Sequence, residues 1–170
     1  MTESTPPDAA GLKQAFARFP TGVAVICARD ADGNDGGMTA NAICSLSLDP
    51  LLLLVCFENQ ARTLPLVKQA GRFSISILAE GSQELADRFA SKIAEGEKLR
   101  GVPSREEAGV PVLDDSIAWA VCSLKETLPG GDHTIVIGEL EAVGTSQGRP
   151  LVWFDGAYGS LSDADDSAQA

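Results

Sequence analysis

The sequence predicts a mainly β domain with flanking helices, its strands forming a closed or nearly closed antiparallel barrel with the helices packed outside. Three observations carry this. About seven segments read as strands and only a few as helices. Strands and helices do not alternate in βαβ order, and no Gly-x-Gly-x-x-Gly turn is present, which excludes the usual dinucleotide-binding fold. The spacing of the strand-like runs fits an antiparallel barrel of one domain, and 170 residues suffice for its core.

Residues 1–8 are polar, hold two prolines and are expected to be disordered, leaving one domain over 9–160 and an acidic tail over 161–170. From Ala9 to Phe19 the spacing of Leu12, Ala15, Phe16 and Phe19 predicts an amphipathic helix that Pro20 stops. Thr21 to Ala28 is rich in β-branched residues and reads as a strand, followed by a turn at Asp32-Gly33. Leu51 to Glu58 is a near-continuous apolar strand, expected to be covered on both faces. Thr63, with Pro65 in the first turn, opens a helix that ends at Gly71. Phe73 to Leu78 alternates as a strand does. Ser82 can cap a second helix, with Leu85, Phe89 and Ile93 on one face. Residues 94–112 carry Gly, Pro and many charges without periodicity and read as a long surface excursion. Ile117–Lys125, Ile135–Val143 and Leu151–Phe154 complete the strands, and the turn Pro129-Gly130-Gly131-Asp132 joins the first two.

The stretch from Gly36 to Pro50 differs from the rest. Thr39, Asn41, Ser45 and Ser47 fall at odd positions and most apolar residues at even ones, a period of two. Its polar face carries only short, neutral hydrogen-bonding groups, where a wet strand usually has Lys, Glu or Arg. Two readings follow: a surface strand rich in Ser and Thr, or a cradle into which a flat or phosphorylated ligand can approach the backbone.

A formal net charge of −11 excludes nucleic acid and anionic membrane as natural partners. No apolar run reaches the roughly 18 residues needed to span a bilayer, and Met1 to Asp8 lacks the apolar centre of a secretory signal, so a cytoplasmic protein is expected. Cys27, Cys44, Cys56 and Cys122 each sit in an apolar strand-like segment with no Cys-x-x-Cys pair, the pattern of small buried hydrophobes with free thiols. One histidine cannot build a multi-histidine metal centre, and no metal is expected.

Three further places have the residue types of a binding site. Arg62 and Thr63 stand at a predicted helix N-terminus, which is either an ordinary cap beside an exposed arginine or an anion site. Phe89, with Ala90 and Lys92 after it, is either core or ligand wall. His133 follows two glycines and Asp132 at a strand entrance, and is either structural or functional.

Taken together, Gly37 with Met38-Thr39-Ala40-Asn41, Ser45-Leu46-Ser47-Leu48-Asp49-Pro50, Phe19-Pro20-Thr21-Gly22 upstream, and Phe89-Ala90, Gly130-Gly131-Asp132-His133-Thr134 and Pro150-Leu151 downstream resemble the flavin reductase family. The resemblance covers roughly residues 12 to 160, with several motifs in the family's order. It implies an FMN-binding split β-barrel and an NAD(P)H:flavin oxidoreductase that transfers hydride from NADH or NADPH to FMN or FAD. Reduced flavin would pass to a partner monooxygenase. It implies a homodimer as well, with which the two-sided apolar strands agree. By resemblance, Met38, Thr39, Ala40 and Asn41 meet the flavin ring. Ser45, Ser47 and the backbone of Cys56, Phe57 and Glu58 follow the ribityl chain, Arg62 and Thr63 hold the phosphate, and Phe89, Ala90 and Lys92 close the site. His133 and Tyr158 take the nicotinamide, and His133 is the one candidate for a catalytic role. Two other readings stay open: a split-barrel flavoprotein that keeps its flavin for electron relay or for reducing another small substrate, and a barrel without flavin. Leu51 and Ala61 depart from common family forms, which have a second proline and a serine there.

Overall fold

The run Val23–Ala28 decides the architecture, because every one of its six side chains is buried. A strand buried on both faces must lie between two cores. In the computed structural model, which describes residues 7–162, strand β2 (Ala24–Arg29) does so. Ala24, Ile26 and Ala28 enter one core with Val55, Phe57, Phe73, Ile75 and Val136, while Val23, Val25 and Cys27 enter another with Leu78, Ala86, Phe89, Leu113 and Leu151. The alternation follows from the two-residue period of a strand.

The chain runs through helix α1 (Ala9–Phe16), β1 (Thr21–Gly22), β2, β3 (Asp35–Ala40), β4 (Ile43–Leu48) and β5 (Leu51–Glu58). Then come α2 (Thr63–Ala70), β6 (Arg72–Leu78), α3 (Gln83–Ala90), α4 (Glu95–Lys98), β7 (Ser104–Glu107) and β8 (Val110–Leu113). Last are β9 (Ser116–Gly130), β10 (His133–Thr145), β11 (Val152–Phe154) and β12 (Ala157–Gly159). Seven strands form one antiparallel sheet in the order β3-β2-β6-β9-β10-β5-β4. Its two outer strands, β3 and β4, are consecutive in the chain and are joined through Asn41-Ala42, so the sheet curls until its ends meet at that corner. They do not pair with each other there; instead Cys56 N–H donates to Ala42 O at 3.0 Å. The result is the split barrel that was expected. Helix α2 packs Leu64 and Val67 into the first core and α3 packs Ala86 and Phe89 into the second. Each fully buried Phe contributes about 2–3 kcal/mol.

Several expectations are corrected. The stretch 36–50 is two strands rather than one, because the chain turns at Asn41-Ala42 to cross from one end of the sheet to the other. Helix α1 stops at Phe16, is capped by Asp8, which accepts from Gly11 N–H at 2.7 Å, and buries none of its residues. Residues 94–112 are not a structureless excursion. They form α4 and the hairpin β7–β8, turned at Ala108-Gly109 with positive φ. Strand β8 is buried throughout, and the Ser-Ile alternation of β6 serves it: Ser74 Oγ donates to Pro111 O, and Ser76 Oγ accepts from Leu113 N–H at 3.1 Å. Tertiary contact, not local pattern, makes this strand. Strands β9 and β10 run past their expected ends into a long hairpin with Gly131 in the left-handed region. Strand β5 is not covered on both faces, since Leu51 is exposed and Leu52, Leu53 and Leu54 are only half-buried. Cys44 is exposed and Cys56 half-buried, against the expectation of four buried thiols. No helix among the described residues is long and apolar enough to cross a membrane. The expected disorder of residues 1–6 and the tail from 163 onward lie outside the described residues.

Candidate functional site

At the corner where the barrel ends meet lies a cleft of about 720 Å³, within the size range of small-molecule sites. One wall is the end of β3 and the corner after it, Met38 to Ala42. The second is the end of β5, Cys56 and Glu58, with Gln60 to Thr63 leading into α2. The third is the end of α3 and the segment after it: Phe89, Ala90, Ser91, Lys92, Glu95 and Lys98. His133 completes the rim, because β10 pairs with β5 so that His133 stands opposite Glu58.

Twelve of the residues singled out from sequence thus converge on one cleft: Met38, Thr39, Ala40, Asn41, Cys56, Glu58, Arg62, Thr63, Phe89, Ala90, Lys92 and His133. Four do not. Ser45 and Ser47 lie beyond the corner on β4, where a bulge between them breaks the register with β5. Phe57 points into the first core. Tyr158 lines an adjoining pocket of about 290 Å³ that shares Thr39, Ala40, Asn41 and Ala90 with the cleft.

Each end of the cleft is held differently. At the α2 end, Glu95 is the centre of a buried network. Its Oε2 accepts from Gly37 N–H at 3.0 Å and from Thr63 Oγ1 at 2.9 Å. Its Oε1 faces Lys98 Nζ at 2.9 Å as a charge pair without a well-directed hydrogen bond, and Arg62 Nε lies 3.7 Å away. Lys98 is only 4% exposed, and its ammonium also donates to Gly37 O at 2.9 Å and Phe89 O at 3.1 Å. Arg62 donates to Ile93 O at 2.7 Å, and Arg88 donates to the carbonyls of Glu97, Lys98 and Arg100. The segment 93–100 is therefore tied down mainly through its backbone. This explains the paired glycines. A Cβ on Gly36 would stand 2.6 Å from Leu66 Cδ2 and 2.9 Å from Glu95 Oε2, and one on Gly37 would stand 2.8 Å from Ile26 O. They make room for the network. Thr63 also differs from its expected role as a cap: it is the first helical residue, and its hydroxyl goes to Glu95.

At the other end, His133 Nδ1 lies 2.7 Å from Asp132 Oδ1. An ionised carboxylate only accepts, so Nδ1 carries the proton. The histidine holds the Asp132 carboxyl below its usual range, chiefly through this hydrogen bond. The turn is pinned by Asn59, which donates to Gly131 O at 3.1 Å and accepts from Thr134 Oγ1 at 2.8 Å. Tyr158 stacks edge-on with Trp153 at 4.9 Å, and its hydroxyl donates to Asp87 Oδ1 at 2.8 Å. Burial, then that bond to Asp87, pushes the phenol up to about 12. Burial, more than neighbouring Cys44, raises the Cys56 thiol, which is thus no thiolate in the cleft.

Residues 16–162 match the Flavin reductase like domain. The chain belongs to that family. Among its relatives, this flavin reductase domain is 38% identical to an actinorhodin polyketide dimerase of Streptomyces coelicolor, over 90% of this chain and 86% of that one. It is 39% identical to the reductase component of 4-hydroxyphenylacetate 3-monooxygenase from Thermus thermophilus, over 88% of this chain and 95% of that one. Among solved structures, an NADH:FAD oxidoreductase of Streptomyces globisporus, in complex with NAD and FAD fragments, superposes with a TM-score of 0.89 at 28% identity, covering 97% of this chain and all of that one.

Glu95, Lys98, Gln60, Ala42 and Ser91 are cleft residues that sequence reasoning missed. The i, i+3 spacing of Glu95 and Lys98 was a usable signal, hidden by the other charges around it.

Proposed function

We propose that this protein is a cytoplasmic NAD(P)H-dependent flavin reductase that takes FMN or FAD into the cleft, reduces it with NADH or NADPH, and releases it to a partner monooxygenase. One observation carries the reading: twelve residues picked out for flavin and nicotinamide contact, from five separate stretches of a chain in the flavin reductase family, line a single cleft. The lining fits such a guest. Ala40, Ala42, Ala61 and Ala90 leave a wall of short side chains against which a flat ring can lie. Arg62 and Lys92 bring positive charge for a phosphate. Cys56 and Glu58 border the path between.

Bound flavin would supply the hydride acceptor. The protein's part is to hold two rings face to face at about 3–3.5 Å and to exclude water, which needs no nucleophile or general base. Phe89 and Ala90 back one side of the slot. His133, with its proton held on Nδ1 by Asp132, faces the open side, and Tyr158 and Trp153 line the neighbouring pocket where the nicotinamide would lie. Ser45, Ser47 and the Phe57 side chain have no place in this arrangement.

The protein is proposed to be a homodimer. Leu46, Leu48 and Leu51 are exposed on the β4–β5 hairpin, Leu48 by 84%. Behind the corner, Phe16, Phe19, Ile43, Leu54 and Trp153 line an apolar groove of about 1040 Å³. Surfaces of this kind mark protein interfaces. Light scattering should give a dimer, and Leu48→Glu with Leu51→Glu a folded monomer; a monomeric wild type overturns the assembly.

The kinship with a protein named a polyketide dimerase favours a second reading, in which the flavin stays bound and serves another small substrate. Oxidation of NADH and NADPH with added FMN, FAD and riboflavin separates the two. Turnover that saturates with exchangeable flavin supports the reductase. Flavin that copurifies and does not exchange supports the second reading, and a protein with no flavin affinity overturns both.

A further inference from the structure

The N-terminus of α2 is the natural place in this cleft for an anion, and the protein has already put one there. Four donor groups converge on or beside the Glu95 carboxylate, at the start of α2: Gly37 N–H, Thr63 Oγ1, Lys98 Nζ and Arg62 Nε. A flavin phosphate seeking Thr63 at the start of α2 would meet a carboxylate that already holds its hydroxyl. We infer that Glu95 is the specificity-determining residue of the phosphate subsite, a resident anion that competes with the phosphate of the flavin. The inference rests on the reading of the cleft as a flavin site.

The charges bear this out. Arg62, Lys92 and Lys98 are the cations lining the cleft, and Glu58 and Glu95 the anions. Lys98 is 4% exposed, gives two of its donors to carbonyls and faces Glu95 Oε1 as a charge pair, so little of its charge is left for a guest. Arg62 spends part of its fork on Ile93 O and stands beside Glu95. Only Lys92 has no partner of this network. A terminal phosphomonoester carries close to two negative charges, a dinucleotide's pyrophosphate has a smaller charge on each phosphorus, and riboflavin has none. Like charges set close together in a partly desolvated site oppose binding strongly. Glu95 therefore penalises FMN most, FAD less and riboflavin not at all. It flattens the preference among the three, which suits an enzyme whose reduced product must leave.

The test is binding, measured by titrating flavin fluorescence with wild type, Glu95→Gln and Glu95→Asp, each checked by thermal melting. Glutamine keeps the shape and one acceptor and removes the charge. Aspartate keeps the charge and withdraws it from Gly37 and Thr63. In the wild type, FMN and riboflavin should bind within a few-fold of each other. In Glu95→Gln the FMN dissociation constant should fall about tenfold, which is 1.4 kcal/mol, with riboflavin changed less than about twofold and FAD between. Inorganic phosphate should then compete with FMN more strongly against the variant. Glu95→Asp should shift FMN the same way by less, and stands in if the glutamine variant melts too early. Equal changes for FMN and riboflavin, or weaker FMN binding, would overturn the inference and make Glu95 a purely structural anchor. Absence of any flavin binding by all three proteins would instead overturn the reading of the cleft itself.

Discussion

The two ends of the cleft are built on opposite principles. Around Glu95 and Lys98 the ammonium is buried and the carboxylate largely so, and three chain segments are fastened to one another by five short contacts. Around His133 the histidine sits on a hairpin turn, half-buried, with its partner Asp132 fully solvated. The difference teaches where rigidity is useful. The end proposed for a flavin tail is shaped before any ligand arrives, which would lower the ordering cost of binding. The end proposed for a nicotinamide borders open solvent, through which one cofactor could leave and another enter.

Substitution at the fixed end should cost the most. Lys98→Met strips a buried carboxylate of its cation and leaves two carbonyls without a donor, so we expect a loss of about 3 kcal/mol in urea unfolding together with weaker flavin binding. A loss under about 0.5 kcal/mol would mean the network does not hold this end together. At the open end, His133→Ala should leave the unfolding midpoint where it is. NADH-dependent turnover should fall about tenfold through misorientation of the nicotinamide. Unchanged turnover would remove His133 from the site. The smallest effect is a titration. Tyr158 is the only tyrosine in the chain, so tyrosinate absorbance reports on it alone. Its midpoint should lie near 12 instead of 10 and move back toward 10 in Asp87→Asn. The sign follows from the raised value: the neutral phenol is favoured in the folded state, so its contribution to stability is complete below about pH 10 and is lost as pH rises to about 12.

Much of the fold could be read beforehand, because β2, β5 and β6 announce themselves by β-branched content and alternation. Strand β8 could not. Val110-Pro111-Val112-Leu113 is too short and too interrupted to register, and it becomes a strand through the hydroxyls of Ser74 and Ser76 and the partner β7. The corner at Asn41-Ala42 was equally hidden. Period-two spacing continues across it, so the run looks like one strand until the sheet closes. Of the cleft lining, residues close to a motif were legible, and those whose place depends on distant neighbours were not. Glu95 is exposed-looking in sequence, and only the fold brings Gly37 and Thr63 to it. Ser45 and Ser47 show the converse: a turn and a bulge that their spacing does not reveal carry them away from the cleft.

Because alternate side chains of β2 are divided between two cores, this chain has no half that can mature alone. One core waits for Cys122 and Val136, and the other for Leu113 and Leu151. During synthesis the apolar run Val23–Ala28 therefore emerges from the ribosome well before the segments that complete either core, and stays partly uncovered to other nascent chains until they follow.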